Sequence, residues 1–268
     1  MTNQEEQYTM GYGPASTAIM AVRTARRHAA FLLPHLKPGM KILDCGCGPG
    51  SITVSLAEDL PGTEVVGTDV EESQLELGRQ EAARQNLSNV SFERASIYEL
   101  PFADASFDAV FLSAVIGNLQ EPLRGINEVR RVLKSGGVLG VKEFDHGGDL
   151  LHPRSPDMIE GLNLYDRLRR HNGHDPESGR KVLGFLQQAA FRDVSVTASY
   201  DTLSDPGELK RISHGIALLV NEAFARPLQD LGWADSETIQ RITQAWRQFA
   251  DTRGAFYALA WCEAIAWK

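Results

Sequence analysis

Two acids and a run of glycines are the residues of this chain best suited to hold a reactive ligand. The segment Asp44-Cys-Gly46-Cys47-Gly48-Pro-Gly50 places glycine at alternate positions after an acid. Residues without a Cβ let the backbone approach a ligand closely, and a helix beginning just beyond offers unpaired N–H groups. A second acid, Asp69, ends the apolar run Glu64-Val-Val-Gly-Thr-Asp69, 19 residues past Gly50. A carboxylate there accepts both hydroxyls of an unphosphorylated ribose. The dinucleotide fingerprint G-x-G-x-x-G would require glycine at position 51, where the chain has Ser51. Asp44, at the same loop, also serves a pyrophosphate badly. A ligand with a ribose and positively charged groups suits two acids better. The plainer alternatives are a tight strand-to-helix turn for the glycines, a helix N-cap for Asp69, and simple packing for Cys45 and Cys47.

Candidates to meet a substrate beyond the fourth and fifth strands come later in the chain: Asn118, Glu143, Asp145 and His146, then Tyr165, His171, His174 and His214 in the helical insertions. His146 is the first choice for a general base because it directly follows a strand and histidine titrates near neutrality; the competing role is an ordinary loop histidine. His171 and His174 share a helical face only if the helix runs through Asn172-Gly173. Both are expected to be exposed, with no metal bound. Tyr165, Phe185, Phe224, Trp233, Trp246 and Phe249 would suit an apolar or aromatic ligand, or form the core of a helical layer.

The elements that position these residues follow from periodicity. Strands are predicted at residues 41–44, 64–69, 90–93, 107–113 and 138–144, with helices at 51–60 and 71–86. Leu123, Ile126, Val129 and Val132 lie on one helical face, and Ser135-Gly136-Gly137 reads as that helix's stop. Such alternation implies parallel βαβ units in a doubly wound α/β sheet over residues 41–145, with ligands beyond the carboxyl ends of the strands. One helix is expected over residues 16–33, a mostly helical stretch to Phe191, a strand at 194–200, helices over 205–250 and a last strand over 255–268.

Composition bounds the function. Hydrophobic residues are 43% and charged residues 23% of 268, an ordinary globular balance. Lys and Arg number 27 against 35 Asp and Glu, a net charge of −8 that argues against a nucleic-acid partner. No apolar run reaches the roughly 20 residues of a membrane span. The acidic start, Met1 to Glu6, is unlike a secretory or mitochondrial leader. Three cysteines, two of them one residue apart, suggest no disulfide framework and a reducing cytoplasm.

Four motifs together carry a family resemblance. Ile42-Leu-Asp-Cys-Gly-Cys-Gly-Pro-Gly50 resembles motif I of the class I S-adenosylmethionine-dependent methyltransferases. The resemblance continues through Val66-Gly-Thr-Asp69, Leu100-Pro-Phe-Ala-Asp-Ala-Ser-Phe-Asp108 and Glu128-Val-Arg-Arg-Val-Leu-Lys-Ser-Gly-Gly137, covering residues 38–145. Tyr8-Thr-Met-Gly-Tyr12 and Ala30-Phe-Leu-Leu-Pro-His-Leu-Lys-Pro-Gly39 resemble the small-molecule branch related to the ubiquinone/menaquinone enzymes.

The resemblance implies a single Rossmann-like domain with a seven-stranded, mostly parallel sheet whose last strand is antiparallel. Residues 1–37 would form an N-terminal helical lid, 38–145 the cofactor core, and 146–268 a helical substrate lid carrying the last two strands. It further implies methyl transfer from S-adenosylmethionine to a small-molecule acceptor in specialised metabolism, with S-adenosylhomocysteine as product, and homodimerisation through the helical insertions. Gly46, Cys47 and Gly48 would bring backbone to the methionine part, Asp44 would hold its amino group, and Asp69 would accept the ribose hydroxyls. Val70 and Gln74 would lie by the adenine face, Ser96 and Ile97 at its edge, Ser113 and Ala114 beneath the sulfonium, with Tyr8 closing over it. His146 would be the base, and Asn118, Glu143 and Tyr165 would meet the acceptor.

The chain departs from the family where Ala95-Ser96 replaces the usual Gly-Asp, weakening the expected contact to the adenine amino group. Asn118 stands where related enzymes often have His, and Ser135 where Pro is common. Alternatives on the same fold are a cyclase or rearrangement catalyst that retains the sulfonium, and a non-catalytic cofactor-binding module. A nicotinamide dehydrogenase is disfavoured by Ser51.

Overall fold

In the computed structural model, which describes residues 8–268, the chain separates into two compact units. The acidic start at Met1 to Glu6 lies outside the described residues. One unit comprises residues 20–144, 177–199 and 261–268; among the described residues, the other comprises 8–19, 145–176 and 200–260.

The first unit is the sheet. Strands β1 (Lys41–Cys45), β2 (Glu64–Asp69), β3 (Val90–Arg94), β4 (Phe107–Ser113) and β5 (Leu133–Phe144) run parallel in the order β3-β2-β1-β4-β5. The end of β8 (Phe256–Trp267) pairs antiparallel to β5, with Val141 opposite Ala264, and β7 (Arg192–Leu203) pairs with β8. Period-two alternation sends neighbouring side chains to opposite faces. Leu43, Val66, Val110, Leu112, Leu139 and Val141 pack on one side; Ile42, Val65, Ala109, Phe111 and Val138 pack on the other. Both faces are therefore apolar, as a covered parallel sheet requires.

Helix α5 (Pro122–Val132) covers one face through Ile126, Val129 and Val132, each 0% exposed. Burial of this kind is worth about 1.5–3 kcal/mol per side chain, more than helix propensity supplies. Helix α7 (Val182–Gln188) lies beside it. Helices α2 (Ala25–His28) and α3 (Ser51–Asp59) cover the opposite face through Ala25, Ile52 and Leu56, joined there by Leu32. Helix α4 (Glu72–Arg84) is N-capped by the Glu71 carboxylate, which accepts from Ser73 N at 3.2 Å.

The second unit is mainly helical. It contains α1 (Pro14–Met20) apart from its last residue, α6 (Pro156–His171), α8 (Pro206–Leu219), α9 (Ala225–Asp230) and α10 (Ser236–Phe249), with a π-turn over Val220–Phe224. Ser155, Asp205 and Asp235 cap α6, α8 and α10 by accepting from amides in their first turns. Trp246, Phe249, Phe224, Ile242 and Leu164 form its core. Short β6 (Leu150–His152) pairs antiparallel with the first residues of β8, Leu151 opposite Tyr257.

Several boundaries differ from the sequence expectation. There are eight strands among the described residues rather than seven, the addition being β6. The single helix over 16–33 is two helices, because Thr24, the residue before α2, is extended (φ −131°). The break separates α1, almost wholly in the helical unit, from α2, which packs on the sheet. Gly136-Gly137 is not the stop of α5. That helix ends at Val132 and β5 begins at Leu133, with Gly136 (φ +74°) inside an irregularity that shifts the register against β4. Lys268 supplies the cap instead, its Nζ donating to Arg131 O and Leu133 O at 3.2 and 2.6 Å. Among the described residues no helix is long and apolar enough to cross a membrane.

Candidate functional site

Strand β1 delivers Asp44 and the glycine loop to the carboxyl edge of the sheet. Gly46 N and Cys47 N both donate to Thr68 O near the end of β2, at 2.7 and 2.9 Å, which folds the loop across that strand end. Gly46 has φ +75°, and a Cβ built there would lie 2.6 Å from Val115 Cγ2. Gly50 has a different reason. With Gly67 and Gly78 it makes room for the Phe92 ring, which would meet a Cβ at each of the three positions within 2.5–2.9 Å.

The two acids sit at adjacent strand ends. Asp44 is 2% exposed, and its Oδ2 accepts from Thr53 Oγ1 at 2.6 Å. Burial pushes its carboxyl up to about 7 against the Thr53 hydrogen bond, and the neighbouring Asp69 pushes the same way. Asp69 Oδ2 accepts from Gly48 N at 2.8 Å and Oδ1 from Glu71 N at 3.0 Å. Burial raises Asp69 too, although these amides oppose the shift. Cys45 and Cys47 are free thiols that burial raises, Cys45 to about 12, so neither is a thiolate nucleophile.

The same edge carries the other residues expected around a nucleoside. Val70 is 48% exposed, Gln74 is 2% exposed in α4, and Ile97 is buried. Ser96 Oγ accepts from Tyr98 N at 3.2 Å, which shapes its turn. At the end of β4, Ser113 Oγ is buried without a hydrogen-bond partner. Ala114 follows in a left-handed conformation (φ +57°), its N–H donating to Lys142 O at 2.8 Å. A left-handed alanine is strained, so the surrounding structure must hold it.

Glu143 provides that hold. It is 0% exposed; Oε2 accepts from the amides of Val115 and Ile116 at 3.1 and 2.9 Å, and Oε1 from Gly117 N and Ser178 Oγ at 3.3 and 3.1 Å. Asn118 Nδ2 donates back to Ala114 O at 2.7 Å, closing the turn after β4. The geometry thus brings Asp44, Asp69, Gly46, Cys47, Gly48, Ser113, Ala114, Asn118 and Glu143 into one unit, the sheet.

Tyr8, His146 and Tyr165 belong to the helical unit. His146 Nδ1 lies 2.9 Å from Asp166 Oδ1, and its ring stacks on Tyr165 at 5.4 Å and 28°. Tyr8 donates to Met10 Sδ at 3.6 Å and packs on Tyr12. Both tyrosines line a cavity of about 300 Å³ with Asn172, Leu219 and Glu222. Of the two histidines expected to be exposed, His171 is exposed but His174 is only 4% so. The chain reverses at Gly173 (φ +82°), His174 N donates to Arg169 O, and Nδ1 lies 2.8 Å from Thr9 Oγ1. Burial and the Arg169 charge lower His174 to about 4, which keeps it neutral. Trp246, Phe224 and Phe249 are core, no more than 5% exposed.

Thr53, Ser178 and Asp166 were absent from the sequence reading. Thr53 had a signal: it lies in the first turn of the helix after the loop, within reach of the strand end. Ser178 and Asp166 arrive from 35 and 20 residues away and left none.

Comparison with known proteins gives a consistent answer. Residues 36–188 match the family described as Methyltransferase domain. A protein named as an uncharacterized methyltransferase of Schizosaccharomyces pombe is 32% identical over 246 residues, 88% of each chain. A probable methyltransferase of Aspergillus luteorubrus is 32% identical, with 100% of this chain and 99% of that one covered. Among solved structures, a Haemonchus contortus phosphoethanolamine N-methyltransferase 2 with S-adenosylhomocysteine has the same fold. It gives a TM-score of 0.59 at 18% identity, over 91% of this chain and 52% of that one, so this chain spans about half its length.

Proposed function

This chain belongs to the methyltransferase-domain family and uses S-adenosylmethionine, and on that premise we propose a small-molecule acceptor methylated by in-line displacement. The bound cofactor supplies an electrophilic methyl group on a sulfonium whose sulfur leaves as a neutral thioether. The observation that carries the site is the pair Asp44 and Asp69. Both are raised by burial at neighbouring strand ends, beside glycines that admit backbone contact. A ligand with an ammonium and a sulfonium supplies the counter-charge that buried carboxylates need. The buried, unpartnered Ser113 hydroxyl fits a polar ligand atom at the end of β4.

In this reading Asp44 holds the amino group and the Gly46, Cys47 and Gly48 backbone borders the methionine part. Asp69 takes the ribose hydroxyls. Exposed Val70 offers an apolar surface to the adenine, with Gln74, Ser96 and Ile97 around its edge. Ser113 and Ala114 lie under the sulfonium, and the role of Tyr8 as a cover rests on its motif. Orientation of the acceptor contributes about 7–11 kcal/mol of catalysis, the largest share. His146, two residues past β5, is the general base, worth about 10²–10⁴-fold. Asn118 and Tyr165 are the acceptor contacts. Glu143 is assigned to positioning, because its oxygens already hold the turn that contains Ala114. Free thiols at Cys45 and Cys47 support a reducing, cytoplasmic setting.

The test supplies methyl-labelled S-adenosylmethionine and a metabolite extract of the source organism to the purified protein. Label in small organic-soluble compounds is the expected result. Label in protein or nucleic acid, or none despite cofactor binding, overturns the acceptor class.

A further inference from the structure

The His146 imidazole is constrained in two independent ways by consecutive residues of α6. Tyr165 lies against its face, at 5.4 Å between centroids and 28° between planes, and Asp166 Oδ1 meets Nδ1 in its edge at 2.9 Å. Stacking fixes the ring plane, and the hydrogen bond fixes rotation within that plane. Tyr165 is itself held: its Oη accepts from Arg169 Nη1 at 3.1 Å, and its ring packs on Phe224 at 4.8 Å. The backbone is tied as well, with His146 N donating to Pro176 O at 3.0 Å.

A carboxylate oxygen only accepts, so the Nδ1 that faces Asp166 carries the hydrogen. In a neutral imidazole the lone pair then belongs to Nε2. A base whose tautomer is set by a third group is the arrangement that proton-abstracting histidines require. We propose that His146 and Asp166 form a proton-accepting dyad, with Asp166 the positioning residue. The acceptor methylated by this protein therefore carries a proton on the attacked atom, as a hydroxyl or an N–H does. The inference rests on His146 being the base of the proposed reaction. Its balance is simple: the acceptor lone pair forms the new bond to the methyl carbon, and sulfur keeps the electrons of the broken bond. The acceptor proton passes to Nε2, leaving an imidazolium beside Asp166.

Ionisable groups near the imidazole include Asp166 and Tyr165 from α6 and Asp149 from its own turn. Asp149 is engaged elsewhere, accepting from Tyr257 Oη at 3.0 Å and Ala260 N at 2.7 Å. Burial raises Asp149 while the His146 charge lowers it. Asp166 is a carboxylate in hydrogen-bond contact with the ring, and it is partly open to solvent, 32% exposed.

The test needs no identified acceptor. Long-range ¹⁵N–¹H spectra of ¹⁵N-histidine-labelled full-length protein, with His146→Asn as the assignment control, read the tautomer of His146. Wild type should show the Nδ1–H form. Asp166→Asn should mix the tautomers, because an amide can donate to Nδ1 as well as accept from it. Calorimetry with S-adenosylhomocysteine should be unchanged in Asp166→Asn, which reports a folded protein. An Nε2–H tautomer in wild type, or an Asp166→Asn spectrum identical to wild type, overturns the dyad. A normal dyad spectrum together with wild-type labelling of metabolites by His146→Asn refutes instead the base reading, and the proton-bearing acceptor with it.

Discussion

Asp44 should make cofactor affinity depend on pH, and the size of the effect follows from its surroundings. The carboxyl is 2% exposed and is raised from 3.8 to about 7, mainly by burial. That shift corresponds to roughly 4 kcal/mol against ionisation in the ligand-free protein. A ligand ammonium favours the ionised form, so binding should expel the proton that Asp44 still holds. By linkage, about 0.9 proton should be released per binding event at pH 6 and about 0.1 at pH 8. Affinity should rise as pH increases towards 7, by up to about tenfold per unit, and level off above it. Calorimetric titrations with S-adenosylhomocysteine at pH 5.5–8, in phosphate and in a buffer of larger ionisation heat, measure both quantities. Asp44→Asn should abolish the release and flatten the profile. Thr53→Val removes the hydrogen bond that lowers Asp44 and should move the break to higher pH. The sign for stability is opposite: the folded state retains a proton that the unfolded chain loses near pH 4. Ligand-free stability should therefore fall as pH rises from about 4 to about 7 and be flat beyond. Equal affinity at pH 5.5 and 8, with no proton exchanged and Asp44→Asn indistinguishable from wild type, would refute the reasoning.

Three further outcomes follow from the same edge of the sheet. Asp69→Ala removes the acceptor of Gly48 N and Glu71 N and should weaken S-adenosylhomocysteine more than tenfold by calorimetry; unchanged affinity would remove the ribose assignment. Gly46→Ala demands a left-handed alanine and a Cβ 2.6 Å from Val115 Cγ2. The backbone alone costs about 1–2 kcal/mol, seen as a lower melting temperature that Val115→Ala relieves only in part. Glu143→Ala strands the amides of Val115, Ile116 and Gly117 and the Ser178 hydroxyl, so denaturant unfolding should show a loss of about 3 kcal/mol or more. Glu143→Gln, which keeps one carbonyl acceptor, should lose less, and a wild-type midpoint for Glu143→Ala would show that the turn holds itself.

What the residues determined on their own was local. The strands Glu64–Asp69 and Phe107–Ser113 were legible to the residue, because short runs of β-branched and aromatic residues carry a local strand signal. The glycine loop and its two acids were legible from their own spacing, whereas Thr53, nine residues from Asp44, carried a local signal that was not read. Tertiary structure decided the rest. Gly50 serves the Phe92 ring, which reaches it from another strand. The one helix expected over 16–33 became two because its halves pack in different units. Gly136-Gly137 ceased to be a helix stop once β5 had a partner strand on each side and Lys268 capped α5. His174, polar and beside a glycine, is buried because the chain turns back onto Arg169 and Thr9. Glu143 and His146 could be named from their place after a strand. Their partners could not, since Val115, Ser178 and Asp166 come from 28, 35 and 20 residues away. Periodicity and turn chemistry are properties of near neighbours. The identity of the group that meets a buried carboxylate or an imidazole is fixed only when packing brings remote segments together.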